Sequence, residues 1–364
     1  MSFRAWLLFY ERRKSVSAQL VDQLRAERHL TDAQYEILLT TQDAQTLSAL
    51  RRAAVEVQKK QFGNKVYLRG LIELTNYCKN NCLYCGIRRG NANVQRYRLT
   101  EDDVLACCKA GTELGFQTFV LQGGEDGFFT DARLVPMIRR IKEIAPHCAV
   151  TLSLGERSHE SYALLREAGA DRYLLRHETA DPDHYSLLHP AEMTLAHRIK
   201  CLQSLKALGY QTGCGMMVGS PHQTIAHLIA DLRFIEQFQP EMVGIGPFMP
   251  HHDTPFRAYP AGSADLTLRL LSIVRLILPQ VLLPSTTALG TLLPDGLEQG
   301  VLAGANVIMP NLTPCAVRSS YLLYDGKDTA AKDTVDLLEE RSRRFAAIGY
   351  EIVHQRGDAP AFCV

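Results

Sequence analysis

The sequence predicts an α/β protein built on a (β/α)8 barrel of the TIM type, with a helical appendage in front of it. From residue 66 onward, short β-rich runs that end in Gly, Pro or polar residues alternate with longer amphipathic stretches. The last seven runs begin on average about 31 residues apart, close to the length of one βα unit. An open doubly wound sheet is the alternative for such a pattern. The eight runs begin near Val66, Thr118, Ala149, Asp171, Gln211, Met242, Val281 and Ala305.

The residues before the first run show no such alternation. Between Thr31 and Gln61 the chain is rich in Ala, Leu, Gln, Glu and Arg and contains no Gly or Pro. This composition predicts helix, with Thr31 as an N-cap. We therefore expect a helical extension over residues 1–65 and the barrel over residues 66–325. A C-terminal helix and tail are expected to pack on the barrel over residues 326–364.

Within several predicted strands, apolar side chains alternate with polar or charged ones. Because helices cover the outside of such a barrel, the apolar set should face the helices and the polar set the lumen. Unpaired buried charges are costly, so we expect the lumen to be hydrated or to hold a polar ligand. Internal ion pairs, such as Arg69 with Glu73, are the alternative. The inward set comprises Tyr67, Arg69, Glu73 and Thr75, then Thr151, Ser153 and Gly155, then Arg172, Arg176 and Glu178.

The composition excludes several classes of protein. Of the 364 residues, 46% are apolar and 22% charged, as is ordinary for a globular protein. The formal net charge of +1 gives no overall field that favours nucleic acid or a membrane surface. The apolar stretch at residues 5–10 is too short for a signal sequence. We therefore expect a cytoplasmic protein, in which ten cysteines indicate metal ligation, catalysis or burial rather than disulfides.

Three of these cysteines lie close together, directly after the first predicted strand. Cys78, Cys82 and Cys85 have the spacing CxxxCxxC and would lie on a loop at the C-terminal mouth of the barrel, where barrel active sites are found. Three thiolates suit an iron–sulfur cluster, and a cluster of four irons would then keep one iron open. Zinc with a distant fourth ligand, or simple burial, is the alternative. However, the loop contains no His, and zinc sites usually combine two ligand pairs.

This motif, with the aromatic Tyr84 before its last cysteine, resembles the radical S-adenosylmethionine (SAM) superfamily. The resemblance extends over about residues 66–325. It implies a 4Fe-4S cluster held by the three cysteines, with SAM chelating the open iron. One electron would then cleave SAM to methionine and a 5′-deoxyadenosyl radical. The run Gln122-Gly123-Gly124-Glu125 is similar to the GGE motif of the family, which implies that its backbone receives the SAM amino group.

Longer runs are similar to the HydE family of FeFe-hydrogenase maturases within this superfamily. They are NYCKNNCLYCGIRRG at 76–90, YLLRHETA at 173–180, MVGIGPF at 242–248, PSTTALGT at 284–291 and GANVIMPN at 304–311. The resemblance implies a role in assembling the hydrogenase active site, the H-cluster. It implies a small substrate, amino-acid-like or a cysteine-bound iron synthon, and a reduced electron donor. Other hydrogenase maturation proteins are further expected partners; nucleic acid and membrane are not.

The resemblance also implies roles for single residues. Ser153 and Glu178 would bind the ribose side of SAM, and Arg198 its carboxylate, in the bidentate manner that suits guanidinium. The full set expected to contact SAM is Tyr84, Gln122, Gly123, Gly124, Ser153, Arg176, Glu178 and Arg198. The set expected to contact the substrate or an anion deeper in the lumen is Arg172, Thr286, Thr287 and Tyr321. Without the family, Arg198 could equally be a solvated helix residue, and the two threonines ordinary strand residues.

Other functions stay open on the sequence alone. A different radical SAM enzyme, such as a 3-methylornithine synthase or a biotin-synthase-like protein, is the nearest. An electron carrier or a zinc-stabilised binding protein belongs to another class. Some HydE proteins carry a second cluster near the C-terminus, but here only Cys315 and Cys363 are available, too far apart for a local motif. The remaining cysteines, Cys107, Cys108, Cys148, Cys201 and Cys214, are expected to be buried.

Overall fold

The computed structural model describes residues 16–327 and 334–362, which form a closed parallel barrel flanked by helices. The predicted strand starts agree with the observed ones within a few residues. Within the described ranges the strands are β1 Lys65–Leu68, β2 Gly70–Thr75, β3 Thr118–Gly123, β4 Ala149–Ser153, β5 Ala170–Leu174, β6 Gln211–Val218, β7 Met242–Pro247, β8 Val307–Ile308 and β9 Glu351–Val353.

The barrel closes through short bridges rather than through a continuous ladder. β2 to β7 form one parallel sheet in chain order. After β7, Met242 bridges Leu282 and Pro284 bridges Val307, and β8 then pairs in parallel with β1. The seventh strand position is reduced to isolated bridges, and its Pro284 has no N–H to donate to a ladder. The ring is nevertheless complete, so the (β/α)8 barrel predicted from the spacing is confirmed.

The first predicted strand is divided in two at Arg69. β1 pairs with β8 and with the C-terminal β9, whereas β2 pairs with β3. The Arg69 N–H still donates to the Ile308 carbonyl, so the chain continues along the same side of the barrel. As the alternation predicts, the apolar residues of this strand pair lie in the core that the helices share. They are Val66, Leu68, Ile72 and Leu74.

The described part of the N-terminal extension, from residue 16, consists of helices, and residues 1–15 of the predicted extension lie outside the described residues. Thr31 is the N-cap of the second helix and forms a capping box with Gln34. The predicted helix does not run unbroken to Gln61, because the Asp43 side chain accepts from the N–H groups of Gln45 and Thr46 and starts a new helix. The described helices here are α1 Val16–Glu27, α2 Asp32–Thr40 and α3 Ala44–Phe62.

The remaining helices cover the barrel, and α3 packs against α10. No helix in the two described ranges has the length and apolar character needed to cross a membrane. These helices are α4 Glu101–Glu113, α5 Asp131–Ile144, α6 His159–Glu167, α7 Pro182–Leu188, α8 Leu195–Ala207, α9 Ile225–Phe238, α10 Ala264–Ile277, α11 Thr287–Leu292, α12 Gly296–Val301, α13 Cys315–Arg318 and α14 Thr334–Ala347.

The cysteines outside the motif follow the expectation of burial, and those described are free thiols. Cys315 is exposed, and Cys363 lies outside the described residues. The buried ones are Cys107, Cys108, Cys148, Cys201 and Cys214.

The C-terminal tail closes the end of the barrel opposite the cysteine loop. Arg172 is fully buried, and its Nη2 donates to Asp358 Oδ1 at 2.6 Å and to the Arg356 carbonyl at 2.9 Å. Its Nη1 donates to Thr118 Oγ1 at 3.1 Å and its Nε to Gln211 Oε1 at 3.3 Å. Thr118 and Gln211 are the first residues of β3 and β6. These contacts therefore form the floor of the lumen.

The floor predicts a stability effect. Asp358→Ala should lower the free energy of unfolding by about 3–5 kcal/mol, because it leaves Arg172 as a buried charge without its counter-ion. Arg172→Met combined with Asp358→Ala removes both charges and should recover most of this loss. Urea unfolding of the apoprotein measures both effects. A loss below about 1 kcal/mol for Asp358→Ala, the range of exposed pairs, would contradict a structural role for this ion pair.

Candidate active site

The cysteine loop follows β2 at the C-terminal mouth of the barrel. Cys78, Cys82 and Cys85 are partly exposed free thiols. Burial raises the pKa of all three. The neighbouring thiols raise the pKa of Cys82 further, and burial together with Cys78 raises the pKa of Cys85 to about 12. Thiols whose pKa is raised by burial need a positively charged group to hold them as thiolates, and an iron–sulfur cluster supplies it.

Backbone hydrogen bonds tie this loop to three other parts of the chain. The Lys79 N–H donates to the Glu125 carbonyl at 2.8 Å, which joins the loop to the segment after β3. The Leu83 N–H donates to the Leu188 carbonyl at the end of α7, at 2.9 Å. The Gly86 N–H donates to the Leu323 carbonyl, also at 2.9 Å. The loop is therefore held in one shape by the protein itself.

The predicted Gly-Gly motif lies directly against the segment that carries Cys78, the first of the three cysteines. A Cβ on Gly124 would lie 2.2 Å from the Tyr77 carbonyl oxygen and 2.8 Å from Cys78 Cβ, so only glycine fits there. Gln122 donates through Nε2 to the Tyr321 hydroxyl at 3.3 Å, and it lies in register with Ser153 on β4. The structure therefore brings the predicted residues of β3 and β4 together at the mouth.

Arg198 lies in a buried network of charges at the same mouth. Its Nε donates to Glu156 Oε1 at 2.6 Å and its Nη1 to the Arg176 carbonyl at 2.8 Å. Its Nη2 is 3.8 Å from Glu125 Oε1, and the residue is 7% exposed. This burial excludes the alternative of a solvated helix residue. Sequence reasoning assigned no role to Glu156, although its place directly after Gly155, at the end of a barrel strand, is a usable signal.

Arg176 and Glu178 form an ion pair on the turn after β5, with Arg176 Nη2 3.0 Å from Glu178 Oε2. Glu178 has a φ of 67°, which a residue other than glycine adopts only under tertiary constraint. His177 provides this constraint. Its Nδ1 accepts from the Gly215 N–H at 3.3 Å, and its Nε2 lies 3.1 Å from Asp231 Oδ1. Both side chains of this His–Asp pair are fully buried.

Tyr84 is held by a histidine that sequence reasoning missed. Burial lowers the pKa of His189 to about 3, so its ring is neutral at physiological pH. Nδ1 lies 2.9 Å from the Tyr185 carbonyl and must donate to it. Nε2 therefore accepts from the Tyr84 hydroxyl, at 3.2 Å. His189 follows α7, more than 100 residues after Tyr84, and no local spacing pattern links the two.

Below the mouth, the inward face of β7 has no side chains at two positions. Nothing lies closer than 3.9 Å to a Cβ placed on Gly244, and its nearest neighbour is Arg176 Cδ. A Cβ on Gly246 would lie 3.2 Å from Thr286 Oγ1. That hydroxyl is buried and has no hydrogen-bond partner among the described residues. The two glycines therefore leave room for a ligand beside Arg176 and Thr286.

The other predicted substrate residues are divided between the two ends of the lumen. Tyr321 is fully buried near the mouth and contacts Gln122. Thr287 is the first residue of α11, beside Thr286. Arg172 instead belongs to the floor, where Asp358 and other partners engage its guanidinium. This placement does not support its predicted substrate contact.

The ion pair of Arg69 with Glu73, which was the alternative to a hydrated or ligand-holding lumen, does not form. Glu73 does not pair with Arg69. It forms a buried ion pair with Lys327 and accepts from Asn311 Nδ2 at 3.0 Å. Arg69 is 5% exposed and donates through Nη1 to Met242 Sδ at 3.2 Å. Its Nε and Nη2 have no hydrogen-bond partner among the described residues. The lumen is therefore polar over its whole depth, as the alternation predicts.

Comparisons with known proteins agree with this site. The family model described as the radical SAM superfamily matches residues 72–235. The chain is 46% identical over 279 residues to the FeFe-hydrogenase maturase subunit HydE of Thermotoga maritima, covering 77% of this chain and 79% of that protein. It is 29% identical over 316 residues to the 3-methylornithine synthase of Methanosarcina barkeri, covering 86% and 88%. A methylornithine synthase crystal structure matches with a TM-score of 0.77 at 27% identity, covering 92% of this chain and 97% of that one.

The contact of Gly124 with the cysteine arm predicts an effect on cluster loading. Gly124→Ala should displace the Tyr77–Cys78 backbone, cost about 1–3 kcal/mol of stability through overpacking, and reduce the iron bound per chain after anaerobic reconstitution. Gly127→Ala is the matched control, because nothing lies within 4 Å of a Cβ at that position. Iron analysis and urea unfolding measure the two effects. Equal loading of both variants would contradict the close approach.

Proposed function

The chain belongs to the HydE family of radical SAM enzymes, and from this premise we propose that it acts in assembling the active site of an FeFe hydrogenase. The protein is a radical SAM enzyme, and its cofactors are a 4Fe-4S cluster and SAM. When bound, these cofactors supply reductive cleavage of SAM and a 5′-deoxyadenosyl radical. The protein binds and orients these cofactors and excludes water from the site.

We assign Cys78, Cys82 and Cys85 as the cluster ligands. Support comes from their position at the barrel mouth, from the mutual effect of the three thiols and from the hydrogen bonds that hold the loop. The role of the loop is to present the thiolates in one arrangement while the barrel walls limit access of water. A preformed arrangement lowers the entropy cost of binding the cluster.

We assign the SAM pocket to the charged groups around Arg198. SAM carries an ammonium group, a carboxylate and ribose hydroxyls, and the mouth offers both carboxylates and guanidinium groups. Glu156 fixes Arg198 through Nε, which leaves Nη2 the least engaged nitrogen, 3.8 Å from its nearest carboxylate. A guanidinium held in this way suits the SAM carboxylate. The other residues of this pocket are Tyr84, Gln122, Gly123, Gly124, Ser153, Arg176 and Glu178.

The observation that carries the substrate proposal is the space beside Gly244 and Gly246. The buried Thr286 hydroxyl, next to this space, has no hydrogen-bond partner in the part of the chain that the structure describes, and a buried polar group without a hydrogen bond is costly. A small polar substrate in the lumen would provide the missing partner. We propose Thr286, Thr287 and Tyr321 as its contacts. An amino-acid-like ligand or a cysteine-bound iron synthon has the polar groups that such a site requires.

The maturase assignment is favoured over the methylornithine synthase alternative by the higher identity, 46% against 29%. A reduced electron donor and other hydrogenase maturation proteins are the partners that we propose. Both candidate reactions use a small substrate within the same barrel, so the fold does not distinguish them.

Anaerobic reconstitution with iron and sulfide, followed by dithionite and SAM, tests the enzyme assignment. We expect 5′-deoxyadenosine from the native chain. Cys82→Ala should lose the 4Fe-4S absorbance and EPR signal, because it removes one of three ligands, whereas the exposed Cys315→Ala should keep both. A cluster-loaded native chain that forms no 5′-deoxyadenosine would contradict the enzyme assignment. An intact cluster in Cys82→Ala would show that the cluster binds at another site in the protein.

The loaded enzyme is then added to an FeFe-hydrogenase maturation mixture that lacks only this component, and hydrogen evolution is measured. Activation of the hydrogenase supports the proposed function. Formation of 3-methylornithine, without activation, would instead support the alternative.

Substitutions at Gly244 test the position of the substrate. Gly244→Leu should fill the space beside Arg176 and abolish hydrogenase activation, while the cluster and its EPR response to SAM are kept. Gly244→Ala is the control, because its Cβ has room, and it should retain most activity. Parallel assays of activation and of SAM-induced EPR change separate the two effects. Full activation by Gly244→Leu would show that the substrate lies elsewhere.

A further inference from the structure

The segment that carries the cysteines has five cations and no acidic residue between positions 77 and 98. Four of these cations lie at or near the surface or contact residues close to them. They are Lys79, Arg88, Arg89 and Arg98. Arg88 donates to one backbone carbonyl of the loop, that of Asn81, at 3.3 Å. Arg96 differs in donating to four backbone carbonyls.

Arg96 makes four of these hydrogen bonds. Its Nη1 donates to the Asn76 carbonyl and to the Ile87 carbonyl, the latter at 2.8 Å. Its Nη2 donates to the Arg88 carbonyl at 2.7 Å and to the Asn91 carbonyl at 3.1 Å. Only a planar guanidinium offers two such pairs of donors in a fixed geometry, and an ammonium group cannot replace it.

The four carbonyls lie on both sides of the three cysteines. Asn76 precedes Cys78 by two residues, and Ile87 follows Cys85 by two residues. One side chain therefore joins the two ends of the loop that bears the ligands. Asn76 makes a second link across the loop, because its Nδ2 donates to the Gln95 carbonyl and its Oδ1 accepts from the Tyr97 N–H, both at 2.8 Å.

The charge of Arg96 is also not balanced by a carboxylate. In the described ranges, Arg98 pairs with Asp126, Arg89 with Glu192 and Lys79 with Glu125, but no carboxylate lies within ion-pair distance of Arg88 or Arg96. The Arg96 guanidinium binds the carbonyls two residues before Cys78 and two residues after Cys85. Its positive charge is therefore directed toward the cluster ligands.

We propose that Arg96 is a positioning residue that holds the cysteine loop in its cluster-binding shape and whose charge stabilises the reduced cluster. The inference rests on the proposed assignment of the cluster to Cys78, Cys82 and Cys85. Reduction adds one electron, taken from an external one-electron donor, to a group already bound by three thiolates. A neighbouring cation favours that more negative state and so raises the reduction potential.

Two substitutions separate the hydrogen bonds from the charge. Arg96→Lys keeps the positive charge but loses the paired hydrogen-bond donors of the guanidinium. Arg96→Gln loses both. Arg89→Gln is the matched control, because it removes a cation of the same loop whose side chain is 62% exposed. The full-length variants are reconstituted anaerobically. Iron loss to a chelator and the midpoint potential, from an EPR-monitored redox titration without SAM, are then measured.

We expect both Arg96 variants to lose iron about tenfold faster than the native chain, in the range of other residues that support metal ligands. The potential should become more negative in Arg96→Gln and stay close to native in Arg96→Lys. Arg89→Gln should change neither quantity. Circular dichroism of the apoproteins shows whether each variant is folded. If Arg96→Gln holds no cluster while Arg96→Lys does, the role of the charge is supported, since the two variants lose the same guanidinium donors and differ in charge. The rate of iron loss from Arg96→Lys then decides the positioning role.

Native rates of iron loss in both variants would overturn the positioning role, and a native potential in cluster-loaded Arg96→Gln would overturn the role of the charge. The Cys82→Ala variant keeps these outcomes separate from the proposed function. If Cys82→Ala still holds the cluster, the site assignment fails and the inference fails with it. If Cys82→Ala loses the cluster while the Arg96 variants behave as native, only the inference on Arg96 fails.

Discussion

Closure of the parallel barrel is the constraint on which the rest of this structure depends. Because all the barrel strands run in the same direction, their carboxyl ends meet at one mouth, and the loops that follow them face a common space. The ring closes through few bonds, at Leu282, Pro284 and Val307. Parallel pairing of neighbouring strands brings Cys78 after β2 next to Gly124 after β3, and the same mouth holds Arg198 next to Glu156 after β4. A site with this many charges requires several loops, and only a closed ring supplies them.

The sequence has nearly equal numbers of cationic and anionic residues. In the lumen, the charged side chains form two groups, one at the mouth and one at the floor. At the mouth, Arg176 and Arg198 are balanced by Glu125, Glu156 and Glu178. At the floor, Arg172 is balanced by Asp358 from the tail. Buried ion pairs of this kind contribute little net stability, but loss of one partner is costly. They therefore fix the geometry of the lumen more than they stabilise the fold.

Two buried histidines hold parts of the site in place, whereas two glycines provide room in it. His177 and His189 are buried and hydrogen-bonded at both ring nitrogens, and they fix the Glu178 turn and the Tyr84 ring. Gly124 permits the close approach of two loops, and Gly244 leaves space where a side chain would fill the lumen. Rigid support around an open space is what binding of a small, reactive intermediate requires.

The sequence by itself determined the barrel, the cysteine loop and the alternation of inward and outward side chains. These depend on periodicity and on spacing within short segments, which are properties of local sequence. Alternation indicates the face of a strand but not the depth in the lumen. The family resemblance implied a substrate contact for Arg172, but the residue lies at the floor. Its partner Asp358 is 186 residues away along the chain, and Glu73 and Lys327 are 254 residues apart. Such pairs, like Tyr84 with His189, exist only once the ring has closed, because closure alone brings distant segments within hydrogen-bond distance.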